Sequence, residues 1–260
     1  MIKDLFRFRR YLLGSFVTEI RYEYAGTVLG LFWFIVNPLV ELAIYTIVFS
    51  QIIELRSSGS RDISYVYFLM TGLFPWFVFS RMVLKGSNSL IRNSIYLRRL
   101  AIPPSIFVAK EALVSLFTLF IYSLLLVPIS ISVVGEIRPS LLALPLIGIL
   151  LVAMAYGLTL TLAHIKVLFP DTGEIVSAGV HLWRWTLPIM FSITILPEAI
   201  RGYFELNPPH FLIDSYHVIL IDGQFPSATA WIHSLIWTAV FLLIGSTISA
   251  RLEDHVKEAL

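Results

Sequence analysis

The chain has 260 residues, 57% of them hydrophobic and only 14% charged, with a net charge of +2 and a mean hydropathy of +0.83. An ordinary soluble domain is roughly 45–50% apolar and about a quarter charged, so this composition points to an integral membrane protein. The chain contains no cysteine, which excludes disulfides, thiolate chemistry and cysteine-bound metals.

Residues 3–24 interleave Lys3, Arg7, Arg9, Arg10 and Arg21 with Leu5, Phe6, Phe8, Leu12, Leu13, Phe16, Val17 and Ile20. That pattern suits an amphipathic helix lying in the membrane interface, within a cytoplasmic entry segment 1–29. No small-residue cleavage site follows it, so a cleaved signal peptide is not expected.

The next stretch becomes a long apolar helix in which Trp33, Asn37, Glu41 and Tyr45 recur every four residues. This spacing sets them in a slowly drifting stripe on one helix face. An acid and an amide in hydrocarbon are expensive, so the stripe should meet protein or a watered pathway rather than lipid. Bonds between packed helices would account for Asn37 and Glu41 as well as a pathway would. Pro38 interrupts the hydrogen bonding within the stripe.

Segments long enough to span, by the yardstick of about 20 residues, fall near 30–53, 63–84, 105–134, 139–165, 175–197 and 228–250. Six spans place both ends on one side. With both ends cytoplasmic, 14 of the 19 lysines and arginines lie inside and 4 outside, among them Arg56 and Arg61; Arg184 falls near or within the fifth span. The positive-inside rule therefore favours N-in and C-in. The expected fold is an all-α integral membrane protein with a single transmembrane domain over 1–260.

The cytoplasmic loop 85–104 alternates Leu90, Ile91, Ile95 and Leu97 with Arg92, Asn93, Arg98 and Arg99, which predicts a short amphipathic helix ended by Pro103 and Pro104. It suits either a docking helix for a soluble partner or a basic anchor on anionic lipid. After the fourth span, a Pro-Asp-Thr-Gly turn offers Asp171 or Thr172 as a helix cap. The fifth span opens with His181, Trp183, Arg184 and Trp185 and carries Pro188. Arg184 either snorkels to the interface or meets an anionic group inside. Residues 197–227 are too polar to span and too apolar for a plain loop. Glu198–Leu206 and Phe211–Ile221 predict two short amphipathic external helices that dip into the outer leaflet and return. The tail 251–260 is charged and cytoplasmic.

No G-x-x-x-x-G-K-[ST] phosphate loop occurs, and the six histidines form no metal-ligating motif; His210, Asp214 and His217 are the nearest approach. No cofactor or metal is expected in this chain, and nucleic acid is not an expected partner. The aromatic residues Trp33, Tyr45, Tyr67, Trp76, Phe79, Tyr122, Trp183 and Trp185 suit the lining of a conduit for sugars, whose C–H faces pack on aromatic rings. An interfacial aromatic belt accounts for several of them, Trp76 above all.

The order of these features resembles one family. R-Y-x(6)-L-G-x-x-W-x(4)-P at Arg21 to Pro38 is followed by F-L-M-T-G-L-F-P-W in the second span. Then come L-R-R-L-A-I-P-P, F-P-D at Phe169 to Asp171, and L-N-P at Leu206 to Pro208. Together they are similar to the membrane (permease) subunit of type 2 ABC transporters that export lipid-linked polysaccharides: O-antigen, capsule or teichoic acid. The resemblance implies a homodimer in the bacterial cytoplasmic (inner) membrane with two separate ATPase subunits, which would hold ATP and Mg. It implies a lipid-linked glycan as substrate, O-antigen first among them. Trp33, Asn37, Glu41, Tyr45, Trp76, Trp183 and Trp185 would line the channel, formed by the first and fifth spans of both copies. Arg92, Asn93, Tyr96, Arg98 and Arg99 would couple it to the ATPase. The alternatives are a secondary transporter or channel using Glu41, and an intramembrane enzyme using Glu41 with Glu111.

Overall fold

The computed structural model describes residues 2–23, 27, 30–53, 65–100, 102–193 and 196–260, and every regular element among them is helical. Arg56, Arg61, Tyr24, Gly26 and the first two residues of the expected second span lie outside the described residues. The entry segment forms α1 (Ile2–Arg7) and α2 (Arg9–Glu23), joined through Phe8, whose N–H still bonds the Asp4 carbonyl at 2.8 Å. One face of α2 packs edge-on to α7 (Pro104–Val134) through Tyr11–Phe107 and Phe16–Phe117. Leu13 and Val17 stay exposed on the other side, as an interface helix requires.

Among the described residues four helical segments are long and apolar enough to cross a membrane: α4 (Tyr65–Ser87), α7, the Pro139–Leu168 segment that contains α8 (Leu144–Leu168), and α12 (Ala228–Ala259). The central one is α4. Its Leu69, Leu73, Phe74, Trp76, Val78, Phe79 and Met82 are almost fully buried among α3 (Trp33–Ile53), α7, α8, α9 (Thr172–Trp183) and α11 (His210–His217). Helix α8 meets α12 at closest range through glycine: a Cβ on Gly157 would stand 2.4 Å from the Phe241 carbonyl carbon, and one on Gly245 2.2 Å from the Gly157 oxygen. Small residues let helix backbones approach where lipid offers no hydrophobic drive.

The first expected span is α3 (Trp33–Ile53), led in by a single 3-10 turn at Gly30–Phe32. The fifth differs from expectation. It is α-helical only over α9 (Thr172–Trp183), passes through a 3-10 turn at Arg184–Thr186, and leaves helix at Leu187. Pro188 is the physical reason: it disfavours helical geometry at Leu187 and has no N–H to continue the ladder. The charged tail continues the last span, because α12 runs on through residues 251–259 as one helix. Its 32 residues extend about 48 Å, longer than a hydrocarbon core of about 30 Å, so the charged end stands clear of the bilayer.

The expected loop helix is two short pieces, α5 (Ser89–Arg92) and α6 (Ser94–Arg99), broken at Asn93. Leu90 and Leu97 anchor them inward, while Ile91, Ile95 and Tyr96 are exposed. Pro103 and Pro104 do not end this unit; they start α7, where a missing N–H costs nothing. The external segment forms α10 (Glu198–Glu205) and α11 (His210–His217), and α11 continues into a π-helical turn, Val218–Asp222. That turn's carbonyls are met from three elements: Tyr67 and Ser130 donate to Leu220, Ser140 donates to Ile219, and Arg138 donates to Asp222. Gly223, at φ 68°, closes it in the left-handed region.

Candidate functional site

Helix α3 lies against α4 and α7 through Phe34, Pro38 and Leu42, which are buried. Arg81 of α4 lies over the Phe34 ring at 5.1 Å. The stripe lies about a quarter-turn round the helix from this buried face. Asn37 and Glu41 are exposed, Trp33 and Tyr45 half-buried. Asn37 and Glu41 open on a groove of about 310 Å³ between α3 and α4, shared with Ser80, Arg81, Lys85 and Tyr122.

At the far end of the stripe, Tyr45 meets the 3-10 turn that follows α9. The Arg184 guanidinium carbon sits 5.1 Å from the Tyr45 ring centre and 5.7 Å from that of Trp185, which is 54% exposed. The structure thus brings Tyr45 and Trp185 together around a cation. Trp183 does a different job. Its indole N–H donates to Asn207 Oδ1 at 2.7 Å, and the Asn207 amide donates to the Thr186 carbonyl and hydroxyl at 3.0 and 2.9 Å. Asn207 of the L-N-P motif therefore holds the end of α9 in shape. Trp76 stands apart from the stripe: it is 2% exposed and packs in the core against Phe79 and Trp183. It backs the α4–α9 contact in this protomer and presents no open ring face.

The loop residues divide as well. Arg92 is engaged inside the chain, with Glu19 of α2 at 3.0 Å and with Glu111 of α7. Asn93 donates to the Ser89 carbonyl at 2.7 Å. Tyr96, Arg98 and Arg99 point outward beside Ile91 and Ile95. This mixed apolar and basic face suits either a protein partner or an anionic head-group layer.

The pairing of Arg92 belongs to a larger ionic network that pattern analysis missed. Lys110 bonds Glu19 at 2.7 Å and sits 3.5 Å from Glu111; Arg81 and Lys85 both bond Glu23. Burial alone would raise the Glu19 pKa, but the Lys110 hydrogen bond and the charges of Lys110, Arg92 and Lys85 outweigh it and hold it below the usual glutamate value. Four elements (α2, α4, α5 and α7) are tied together this way. Glu19 and Glu23, two acids one turn apart in a basic helix, were the available signal. Beside the network a cleft of about 470 Å³ opens between α2 and the loop helices, bordered by Tyr11, Ser15, Tyr22, Asn93 and Tyr96.

Glu41 and Glu111 are not assembled into an acid–base pair. Glu41 opens on the α3–α4 groove, whereas Glu111 is held by Arg92 and Lys110. His217 and Asp214 approach only to 3.9 Å, and no group of three metal-ligating side chains occurs among the described residues.

An all-helical chain with four helices long and apolar enough to cross a membrane among the described residues is a multi-pass membrane protein in architecture. No protein-family model matches the chain. It is similar to the O-antigen export system permease protein RfbA of Myxococcus xanthus, 24% identical over 264 residues that cover 100% of this chain and 99% of that one. It is also similar to the protein of that name from Klebsiella pneumoniae, 26% identical over 244 residues and 91% of each chain. The polysialic acid transport protein KpsM of Escherichia coli is 23% identical over 240 residues, 92% of each chain. These full-length matches, with the four apolar helices, support a type 2 ABC transporter permease, a multi-pass protein of the bacterial inner membrane.

Proposed function

We propose that this chain is the channel-forming permease subunit of an ATP-driven exporter that moves a lipid-linked polysaccharide, O-antigen first, across the cytoplasmic membrane. The observation that carries this is the exposed polar stripe of α3. Asn37 and Glu41 lie open to the outside on a groove beside α4, and an exposed acid and amide on an apolar helix cannot be left facing lipid. A second copy across a watered path satisfies it, which makes the working unit a homodimer. Six spans with both ends cytoplasmic put the α5–α6 surface and α2 on the side where two ATPase subunits, carrying ATP and Mg, dock. Helices α10 and α11 then re-enter the outer leaflet near the exit.

The mechanism follows from elementary mechanics. Closure of the ATPase dimer pushes on Tyr96, Arg98 and Arg99, and the network through Arg92 passes the push to α2 and α7. Motion of α3 and α9 opens the path. Trp33, Tyr45 and Trp185 offer rings on which successive sugars rest weakly, so the glycan slides. The test is the double substitution Trp33→Ala with Tyr45→Ala. Export falls while assembly and ATP hydrolysis persist; normal export by the assembled double variant would remove these rings from the channel.

A further inference from the structure

Arg184 follows α9, whose 12 residues rise about 18 Å, so a guanidinium at its end is deep within a bilayer if α9 stands along the normal. A cation at such depth needs a partner. No carboxylate pairs with Arg184 among the described residues, and its Nε is buried without a hydrogen-bond partner. Burial of Nε and stacking on Tyr45 of α3 are the reverse of a side chain that snorkels to water. The aromatic contacts hold the guanidinium by its faces and leave its N–H edge free to donate. The Asn207 bonds to Trp183 and Thr186 lock the backbone on both sides of it. A rigid, unpaired fork beside an exposed tryptophan matches the geometry of a carboxylate or phosphate.

We propose that Arg184, held against Tyr45 and Trp185, is an anion-recognition site for the transported molecule, taking either the phosphate that joins glycan to lipid or the carboxylate of an acidic sugar. This rests on the exporter reading. It adds a specificity residue to the aromatic surface, which by itself is indifferent to charge.

The test compares two substrates in proteoliposomes holding the permease with its ATPase: an acidic glycan and a neutral glycan, each on the same diphosphate-linked lipid. Wild-type protein, Arg184→Gln and Arg184→Lys are scored for assembly and for initial export rate. A hydrogen bond to a charged group is worth about 1.5–3 kcal/mol, so Arg184→Gln slows export about tenfold or more. Slowing of the acidic glycan alone assigns the site to the sugar carboxylate; equal slowing of both assigns it to the phosphate. An assembled Arg184→Gln that exports both at the wild-type rate overturns the proposal. Should Arg184→Gln fail to assemble, Arg184→Lys decides: it keeps the charge and loses the planar fork, and wild-type rates for both glycans overturn the proposal. Absence of export by wild-type protein would instead count against the exporter reading itself.

Discussion

Replacing Glu111 by glutamine removes one negative charge from the node that joins α7, α5 and α2. The carboxylate is 4% exposed and faces Arg92 and Lys110, and the Lys110 side chain is itself only 7% exposed. Breaking a fully buried pair from one side costs about 3–5 kcal/mol, because the partner charge is left uncompensated. Here the cost is smaller. Arg92 is 41% exposed and keeps Glu19, and Lys110 keeps Glu19 as well, so screening and residual pairing reduce it to about 2 kcal/mol. For a chain of this size that is a fall of about 4–8 °C in Tm. Thermal unfolding of the purified protein measures it, with Glu174→Gln as the control, since Glu174 is exposed and forms no ion pair among the described residues. A double-mutant cycle with Arg92→Gln should recover a coupling of about 1–2 kcal/mol. Melting of Glu111→Gln together with the control would refute the network as a structural tie.

Three further outcomes follow. Because the folded-state pKa of Glu19 is depressed, its contribution to stability is present above the ordinary glutamate value of 4.5 and disappears as pH falls through the lower folded value. Glu19→Gln therefore flattens the acid side of a Tm-against-pH curve, and an unchanged curve would contradict the assignment. Gly157→Ala drives a methyl into the α12 backbone and destabilises by about 1–3 kcal/mol, whereas Gly179→Ala, with nothing within 4 Å, is neutral or stabilises by up to about 1 kcal/mol. Equal melting of those two variants would argue against the close α8–α12 crossing. Asn207→Ala removes three hydrogen bonds at the end of α9 and lowers stability by about 3 kcal/mol, with a change in tryptophan emission as the Trp183 N–H loses its acceptor.

Length and apolar content were enough to locate α4, α7, α8 and α12, because spanning a bilayer imposes both properties on a local stretch. Helical spacing likewise revealed the stripe on α3, and clustered proline and asparagine divided α10 from α11. What stayed hidden is what depends on distant partners. Glu23 meets Arg81 across 58 positions and Glu19 meets Lys110 across 91, and no local pattern encodes such pairs. The pairing of the exposed Arg92 with Glu19 and Glu111 was invisible for that reason. Trp76 read as a lining residue because composition does not tell an aromatic in a wall from one behind it. The end of α9 was foreshadowed by Pro188, but the apolar run through residue 197 outweighed it. Arg184 was visible as an oddity; only the fold could set it on Tyr45.

The central claim is that this chain conducts a glycan on behalf of a separate motor. Proteoliposomes containing the chain, with and without an ABC ATPase subunit, test it by scoring movement of a lipid-linked glycan across the bilayer. The account predicts movement only when both chains and ATP are present. Transport of a small solute by this chain alone, driven by a proton gradient and abolished by Glu41→Gln, would contradict it.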